Sequence, residues 1–384
     1  MLDKTTSILA DLIAFQTVSA DSNLEMIDYI AGHLDACGAS VQQFRDPSGR
    51  KANLFATLGP QCDGGIVLSG HTDVVPVSDQ QWATDPFKMV ARDGRLYGRG
   101  CCDMKGFIAA TLAMAPTFAQ AVRDRPLHFA FTYDEEVGCI GAGHLARSLG
   151  EMGLRPGVAI IGEPTGMRII EGHKGCYEYT TRFQGLEGHG SAPDQGVNAV
   201  EYAARYVALL LELKDQLRAM APPGSRFDPP WTTVNVGAMS GGTVHNVIAP
   251  MAQVRWEMRP VQRSDADFVK GRLHRYCRDE LLPRMQAVFP DAAIETEVVG
   301  EVDGLVPTLE NEARAILAEL TGRNAADVVP FGTEAGIFQS LGMDVVICGP
   351  GSIEQAHKAD EYVSAAQLGQ CLAMLGKLAA KLGQ

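Results

Sequence analysis

Several short stretches of this chain carry side chains able to hold metal ions or move protons. They are His71-Thr72-Asp73, Gly100-Cys101-Cys102-Asp103, Asp134-Glu135-Glu136 and Gly162-Glu163-Pro164, with His357 following late in Ala356-His357-Lys358-Ala359-Asp360-Glu361. Residues i and i+2 of a strand face one side, so His71 and Asp73 can sit together, one on a metal and the other orienting the free ring nitrogen. Glu135 and Glu136 are adjacent carboxylates just past an apolar run, where mutual repulsion is costly without a cation. Neighbours on extended backbone point apart, which suggests that one ligates and the other moves protons. Asp103 stands at a loop-to-helix junction and has two readings, a helix cap or a carboxylate shared between two metal ions. Each stretch alone is ordinary. Together, two histidines and three carboxylates match the borderline-hard ligand set that Zn²⁺ accepts.

Elements of recognisable type must position these groups. Segments 9–17 and 24–37 have helical apolar spacing, with Asp21, Ser22 or Asn23 able to cap the second and Gly38 placed to end it. Segments 40–44 and 53–58 read as strands, and the apolar run 65–69 reads as a buried strand that delivers His71 at its carboxyl end. Helix 107–121, strand 127–132, helix 141–149 and strand 158–161 follow, and the last two strands end at Glu135-Glu136 and Glu163. This alternation predicts an α/β fold with a mixed, largely parallel sheet flanked by helices. Ligands in such sheets gather outside the carboxyl ends of the strands. From about Tyr177 the pattern changes to strand 177–183, helix 198–219, strands 232–239 and 252–258, and helix 265–288. After Val298 the earlier style returns, with helix 310–320, strand 345–348 and a closing helix from Ser364. The reading is therefore a catalytic domain of residues 1–177 and 291–384, interrupted by an α+β domain of residues 178–290.

Composition excludes several classes of function. The 384 residues exceed what one growing core usually holds, which favours two domains. A net charge of −13 repels phosphate backbones, and no basic run offsets it, so nucleic acid is not an expected partner. No stretch approaches the ~20 apolar residues of a membrane span. The N-terminus shows no export pattern, so a cytoplasmic location is expected. Nine cysteines without CxxC spacing read as reduced thiols, neither a disulfide framework nor a thiolate zinc site.

The segments SGHTDVVPV, GRGCCDMKG, DEEVG, GEPT, GHGSAPDQGVNA and AHKADE occur in one order along nearly the whole chain. In this they resemble a family of dinuclear zinc hydrolases that includes deacetylases, desuccinylases, aminoacylases and carboxypeptidases. The resemblance implies a zinc exopeptidase-like fold with an inserted lid and dimerisation domain, and two Zn²⁺, with Co²⁺ or Mn²⁺ as alternatives. It further implies that Asp103 bridges both ions, that His71 and Glu163 complete one site and Glu136 and His357 the other. Glu135 would be the general base, Asp73 the partner of His71, and a cis peptide would follow Asp103. Two dications against three carboxylates leave a formal +1, enough to hold a bridging water as hydroxide near neutral pH.

In the inserted domain the resemblance makes His189 a histidine that reaches the partner subunit's active site in a homodimer and stabilises the oxyanion. Asn246 and Arg259 match substrate-binding lid positions, and the Gly332-Thr333 loop matches one for the substrate's α-carboxylate. Within the family, His173-Lys174-Gly175 resembles the acetylornithine deacetylases, which makes Lys174 a substrate contact. This implies hydrolysis of N-acetyl-L-ornithine to L-ornithine and acetate in arginine biosynthesis. The alternatives are an N-succinyl-diaminopimelate desuccinylase or a broader N-acyl amino acid amidohydrolase or dipeptidase. A non-catalytic metal-binding relative would be expected to lack the base or a ligand, and all are present.

Overall fold

Apolar runs with period-two alternation or full burial assemble into an eight-stranded sheet in the computed structural model, which describes residues 1–384. Strand Ile66–His71 lies parallel to both Leu127–Thr132 and Val158–Pro164, and Val158–Pro164 lies parallel to Asp344–Gly349. Ser40–Arg45 and Ala52–Leu58 extend one edge antiparallel, and Ile169–His173 and Ala326–Val329 form the other. The sheet is thus mixed with a parallel centre. All residues of Ile66–His71, Leu127–Thr132 and Val158–Pro164 are buried, the pattern of strands covered on both faces.

Alternation sorts these strands between two sides. Leu54, Ile66, Leu68, Phe129 and Ile160 share one core with helices Leu2–Ala14, Lys105–Ala121 and Ala365–Leu382. The residues between them, such as Val67, His128 and Ala159, face the opposite side. Helix Lys105–Ala121 is apolar nearly all round, and every residue from Lys105 to Ala115 is buried, so it is a central helix rather than a surface one. Its N-cap is Met104, with no side-chain capping bond. The capping reading of Asp103 therefore fails.

Other boundaries differ from the sequence reading for physical reasons. The first helix runs Leu2–Ala14 rather than 9–17. Asn23 precedes helix Leu24–Asp35 without capping it, because its Oδ1 accepts instead from Ala52 N while its NH₂ donates to the Ala52 carbonyl and to Thr72 Oγ1. The expected helix 265–288 is Arg263–Tyr276, a π-helical turn at Cys277–Leu281 and a short helix Leu282–Gln286. Pro283 has no N–H to donate and its ring crowds the preceding turn, which a widened turn accommodates.

Contacts divide the chain into two compact units. The first comprises residues 1–172, 307–328 and 333–384, and the second residues 173–306 and 329–332. Against the sequence boundaries at 177 and 291, the second unit is longer at both ends. The main reason is strand Ala293–Val302, which the sequence reading left in the first domain. It pairs with Cys176–Gln184 and completes a four-stranded antiparallel sheet with Met251–Arg259 and Thr233–Gly241. Helices Ala199–Ala219 and Arg263–Tyr276 pack on one face of that sheet through Tyr206, Leu210, Val269 and Leu273 against Tyr179, Phe183, Val254 and Trp256.

Candidate active site

Three parallel strands and three loops of the first unit deliver their ends to one place. Strand Ile66–His71 ends on His71, Val158–Pro164 carries Glu163 near its end, and Leu127–Thr132 leads into Glu135 and Glu136. Asp103 arrives on the loop before the central helix, where Gly100 adopts φ +81 and a Cβ would meet Val74 at 2.7 Å. The Asp103–Met104 peptide is cis, as the resemblance implied. His357 follows strand Asp344–Gly349 on a loop and takes φ +61.

The two oxygens of Asp103 face different partners. His71 Nε2 lies 3.0 Å from Oδ1 and 3.7 Å from Glu163 Oε1. His357 Nε2 lies 3.4 Å from Oδ2 and 2.9 Å from Glu136 Oε2. Glu135 shares a cluster with His71 and Glu163, and Glu136 one with His71 and Asp103, their ligand atoms all within 4.8 Å of one another. The neighbouring glutamates thus enter two adjoining groups that share His71 rather than pointing away from each other. Asp134, at φ +54, turns the backbone there, so the extended geometry assumed from sequence does not apply.

This donor set fits divalent cations. His71 Nδ1 donates to the Asp73 carbonyl at 2.9 Å, which turns Nε2 toward Asp103 and Glu163, where a cation would take the place of its proton. Glu163 Oε1 is buried and has no hydrogen-bond partner. Burial drives the Glu163 carboxyl well above its usual range, and Asp103 adds to the effect. Glu136 rises for the same two reasons, and burial with the charges of Glu136 and Asp103 pushes Glu135 up to about 8, against the pull of His71. Burial opposes charge on His71, but its bonds to Asp103 and Asp73 hold it well above the ordinary imidazole value. His357, half exposed, is raised to about 10 by Asp103 and Glu136. Four carboxylates and two imidazoles crowded in this way are the environment that a pair of cations relieves.

Residues 67–381 match peptidase family M20/M25/M40. The chain is 38% identical over 381 residues to an acetylornithine deacetylase of Myxococcus xanthus, covering 97% of this chain and 96% of the relative. An acetylornithine deacetylase of Proteus mirabilis is 34% identical over 375 residues, covering 96% and 94%. The chain belongs to peptidase family M20/M25/M40. It is a hydrolase, and the family places its chemistry with metal-dependent amide hydrolysis. Among solved structures, a family M20 metallo-carboxypeptidase of Sulfolobus solfataricus superposes with TM-score 0.75 at 16% identity, covering 99% of each chain, a likeness of fold.

Further carboxylates surround the cluster, and sequence reasoning passed over Glu334 and Glu361 among them. Asp73 was read as the partner of His71, yet its carboxylate stands 3.6 Å from the ring and accepts from Ser19 Oγ and from the Glu135 and Glu136 N–H groups. Glu334, within the Gly332-Thr333-Glu334-Ala335-Gly336 loop, is fully buried and accepts from Ser69 Oγ at 2.6 Å and Thr132 Oγ1 at 2.7 Å, tying that loop to the strands of His71 and Glu135. Glu361 gathers backbone donors from the Asp103 loop. The signals were present in GTEAG and AHKADE, but a carboxylate bonded to hydroxyls or amides has no spacing rule to announce it.

Thr333 also lies in the first unit, buried, with its hydroxyl accepting from Ala335 N. The remaining expected residues lie in the second unit, which is described by itself. His189 pairs with Val247 across a two-residue ladder, and Gly190 N donates to the Asn246 carbonyl, so His189 and Asn246 are neighbours there. His189 Nδ1 lies 2.7 Å from Ser191 Oγ and 3.2 Å from Ser191 N, so Ser191 fixes the ring and leaves Nε2 free of it. Arg259 donates through Nε and Nη2 to Glu257. Gly332 belongs to this unit as well. Lys174, which the resemblance makes a substrate contact, also lies in this unit. It is buried, and its ammonium donates to the Trp231 carbonyl at 2.9 Å, which satisfies an interior cation.

Proposed function

We propose that this chain hydrolyses the amide bond of N-acetyl-L-ornithine, yielding L-ornithine and acetate, with two zinc ions as cofactor. The observation that carries the reading is Asp103, whose two oxygens address His71 with Glu163 on one side and His357 with Glu136 on the other. Asp103 would bridge the ions, with each histidine and glutamate pair completing one site. When bound, such ions acidify a water and polarise an amide carbonyl. The substrate assignment is supported by near-full-length similarity to acetylornithine deacetylases.

The protein's own groups carry the proton traffic. Without ions, burial and the neighbouring carboxylates of Glu136 and Asp103 raise Glu135; beside two cations it would return to the carboxylate form, able to take a proton from the attacking water and hand it to the leaving amine. Cys139 Sγ lies 3.4 Å from its Oε1, which leaves Oε2 for that work. Asp73 fixes the backbone of Glu135 and Glu136 and, through its carbonyl, the orientation of His71. His189, held by Ser191 through Nδ1, would donate from Nε2 to the carbonyl oxygen as charge develops. In this reading the chain is a homodimer joined through the second unit, each His189 serving its partner's site. Asn246, Arg259, Gly332 and Thr333 would bind substrate, the guanidinium capturing a carboxylate. The same reading places the enzyme in the cytoplasm and in arginine biosynthesis.

A substrate panel tests this. Metal-loaded protein assayed on N-acetylornithine, N-succinyl-diaminopimelate, N-acetylmethionine and simple dipeptides should show the highest kcat/KM on N-acetylornithine. A clear preference for the succinyl compound or for dipeptides would replace this substrate with that one while leaving the site chemistry standing.

A further inference from the structure

One carboxylate outside the ligand set joins the two loops that carry Asp103 and His357. Glu361 is buried, and four donors converge on its two oxygens. Oε1 accepts from Cys102 N at 2.8 Å and Asp103 N at 3.1 Å, and Oε2 accepts from Gly100 N at 3.0 Å and Arg99 Nη1 at 2.7 Å. The Glu361 carbonyl accepts from Gly98 N at 3.1 Å, so both its backbone and its side chain grip one turn. That turn is the one presenting Asp103. Glu361 itself stands four residues after His357, on the loop that presents the second imidazole.

Arg99 extends the connection to His357. Its guanidinium, buried over the Trp82 ring, donates to the Lys358 carbonyl at 3.3 Å and to Gln80 Oε1 at 2.5 Å. Gln80 in turn donates to the His357 carbonyl at 2.9 Å. Backbone groups on both sides of the Asp103 carboxylate are therefore tied through one buried ion pair.

We propose that Glu361 is a positioning residue that locks the Asp103 loop to the His357 loop and so sets both oxygens of Asp103 for their two ions. The inference rests on the reading of Asp103 and His357 as metal ligands. A glutamine of equal size cannot replace Glu361, because it offers one acceptor oxygen in place of two and turns an NH₂ against backbone N–H donors. Partners behind metal ligands typically change metal affinity or activity by about 10- to 100-fold when removed.

The test compares wild type, Asp103→Asn, Glu361→Gln and Arg99→Met/Glu361→Gln by zinc competition against a chelator, thermal melting and steady-state kinetics. Glu361→Gln should lose about 10- to 100-fold in zinc affinity and in kcat, with KM within about threefold. The double variant removes the unpaired buried cation and should regain melting temperature without regaining zinc affinity. Recovery of zinc affinity along with stability would overturn the proposal, since the carboxylate would then serve only to neutralise Arg99. Wild-type affinity in Glu361→Gln would overturn it as well. Should that variant fail to fold, the double variant decides alone, and wild-type zinc binding by it would count against the proposal. If wild type and Asp103→Asn bind zinc alike, the ligand reading itself fails, a result distinct from the others.

Discussion

Asp73 does more at the site than its HxD spacing suggested. Its carbonyl accepts a hydrogen bond from His71 Nδ1 while its carboxylate accepts from the N–H groups of Glu135 and Glu136, so one residue orients the imidazole and holds the turn that carries both glutamates. The sequence showed which residue types were needed and the proximity of Asp73 to His71. It could not show that the carboxylate bonds to amides sixty residues away in sequence, because backbone donors carry no residue identity. Glu135 is the residue whose loss should separate chemistry from metal binding. Glu135→Gln should lower kcat by about 10²- to 10⁴-fold, the usual span of a general acid–base contribution, while metal content stays at the wild-type level. Steady-state kinetics beside elemental analysis of the purified variant reads both quantities. Loss of metal from Glu135→Gln would instead make Glu135 a ligand.

Strands Ala52–Leu58 and Leu127–Thr132 contain a buried titration that belongs to their pairing. Thr57 and His128 stand opposite each other in the antiparallel register, Thr57 Oγ1 lies 2.9 Å from His128 Nδ1, and the ring stacks on Phe55. Burial lowers the His128 pKa to about 4, below the ~6.5 of an unfolded histidine. The folded state therefore favours the neutral ring. Its contribution is complete above about pH 6.5 and is lost as the pH falls toward 4, at a cost of about 3 kcal/mol. Urea unfolding of wild type should show that decline between pH 7 and 4.5, and His128→Gln, which can still bond Thr57, should show correspondingly less. Equal pH dependence in the two proteins would remove the titration from His128. Central strands were legible because full burial writes continuous apolar runs. Strand Ala293–Val302 was assigned to the wrong unit because its pairing with Cys176–Gln184 spans more than a hundred residues, and its Glu295, Glu297 and Val298 face solvent like many loops.

For the molecule as a whole, cations bound among the crowded Asp103, Glu135, Glu136 and Glu163 would stabilise the first unit by relieving the repulsion between these carboxylates. Ions that bind the folded state alone contribute about 4 kcal/mol when free metal exceeds Kd a thousandfold. Chelation should abolish turnover and lower the melting temperature, and added zinc should restore both. A melting temperature indifferent to chelator and zinc would mean that the cluster holds no ion. No helix of the chain is long and apolar enough to cross a membrane, in agreement with its hydropathy. By itself the amino-acid sequence determined the α/β class, the strand-end residues with ligand chemistry and the family they resemble, because burial periodicity and residue type are written locally. Only the tertiary structure decided that Asp103 turns one oxygen to each histidine, that Glu135 and Glu136 enter adjoining groups sharing His71, and that Asp73, Glu334 and Glu361 tie the loops together. Those facts depend on distances between segments far apart in the chain, which the packing of strands and the satisfaction of buried polar groups set jointly.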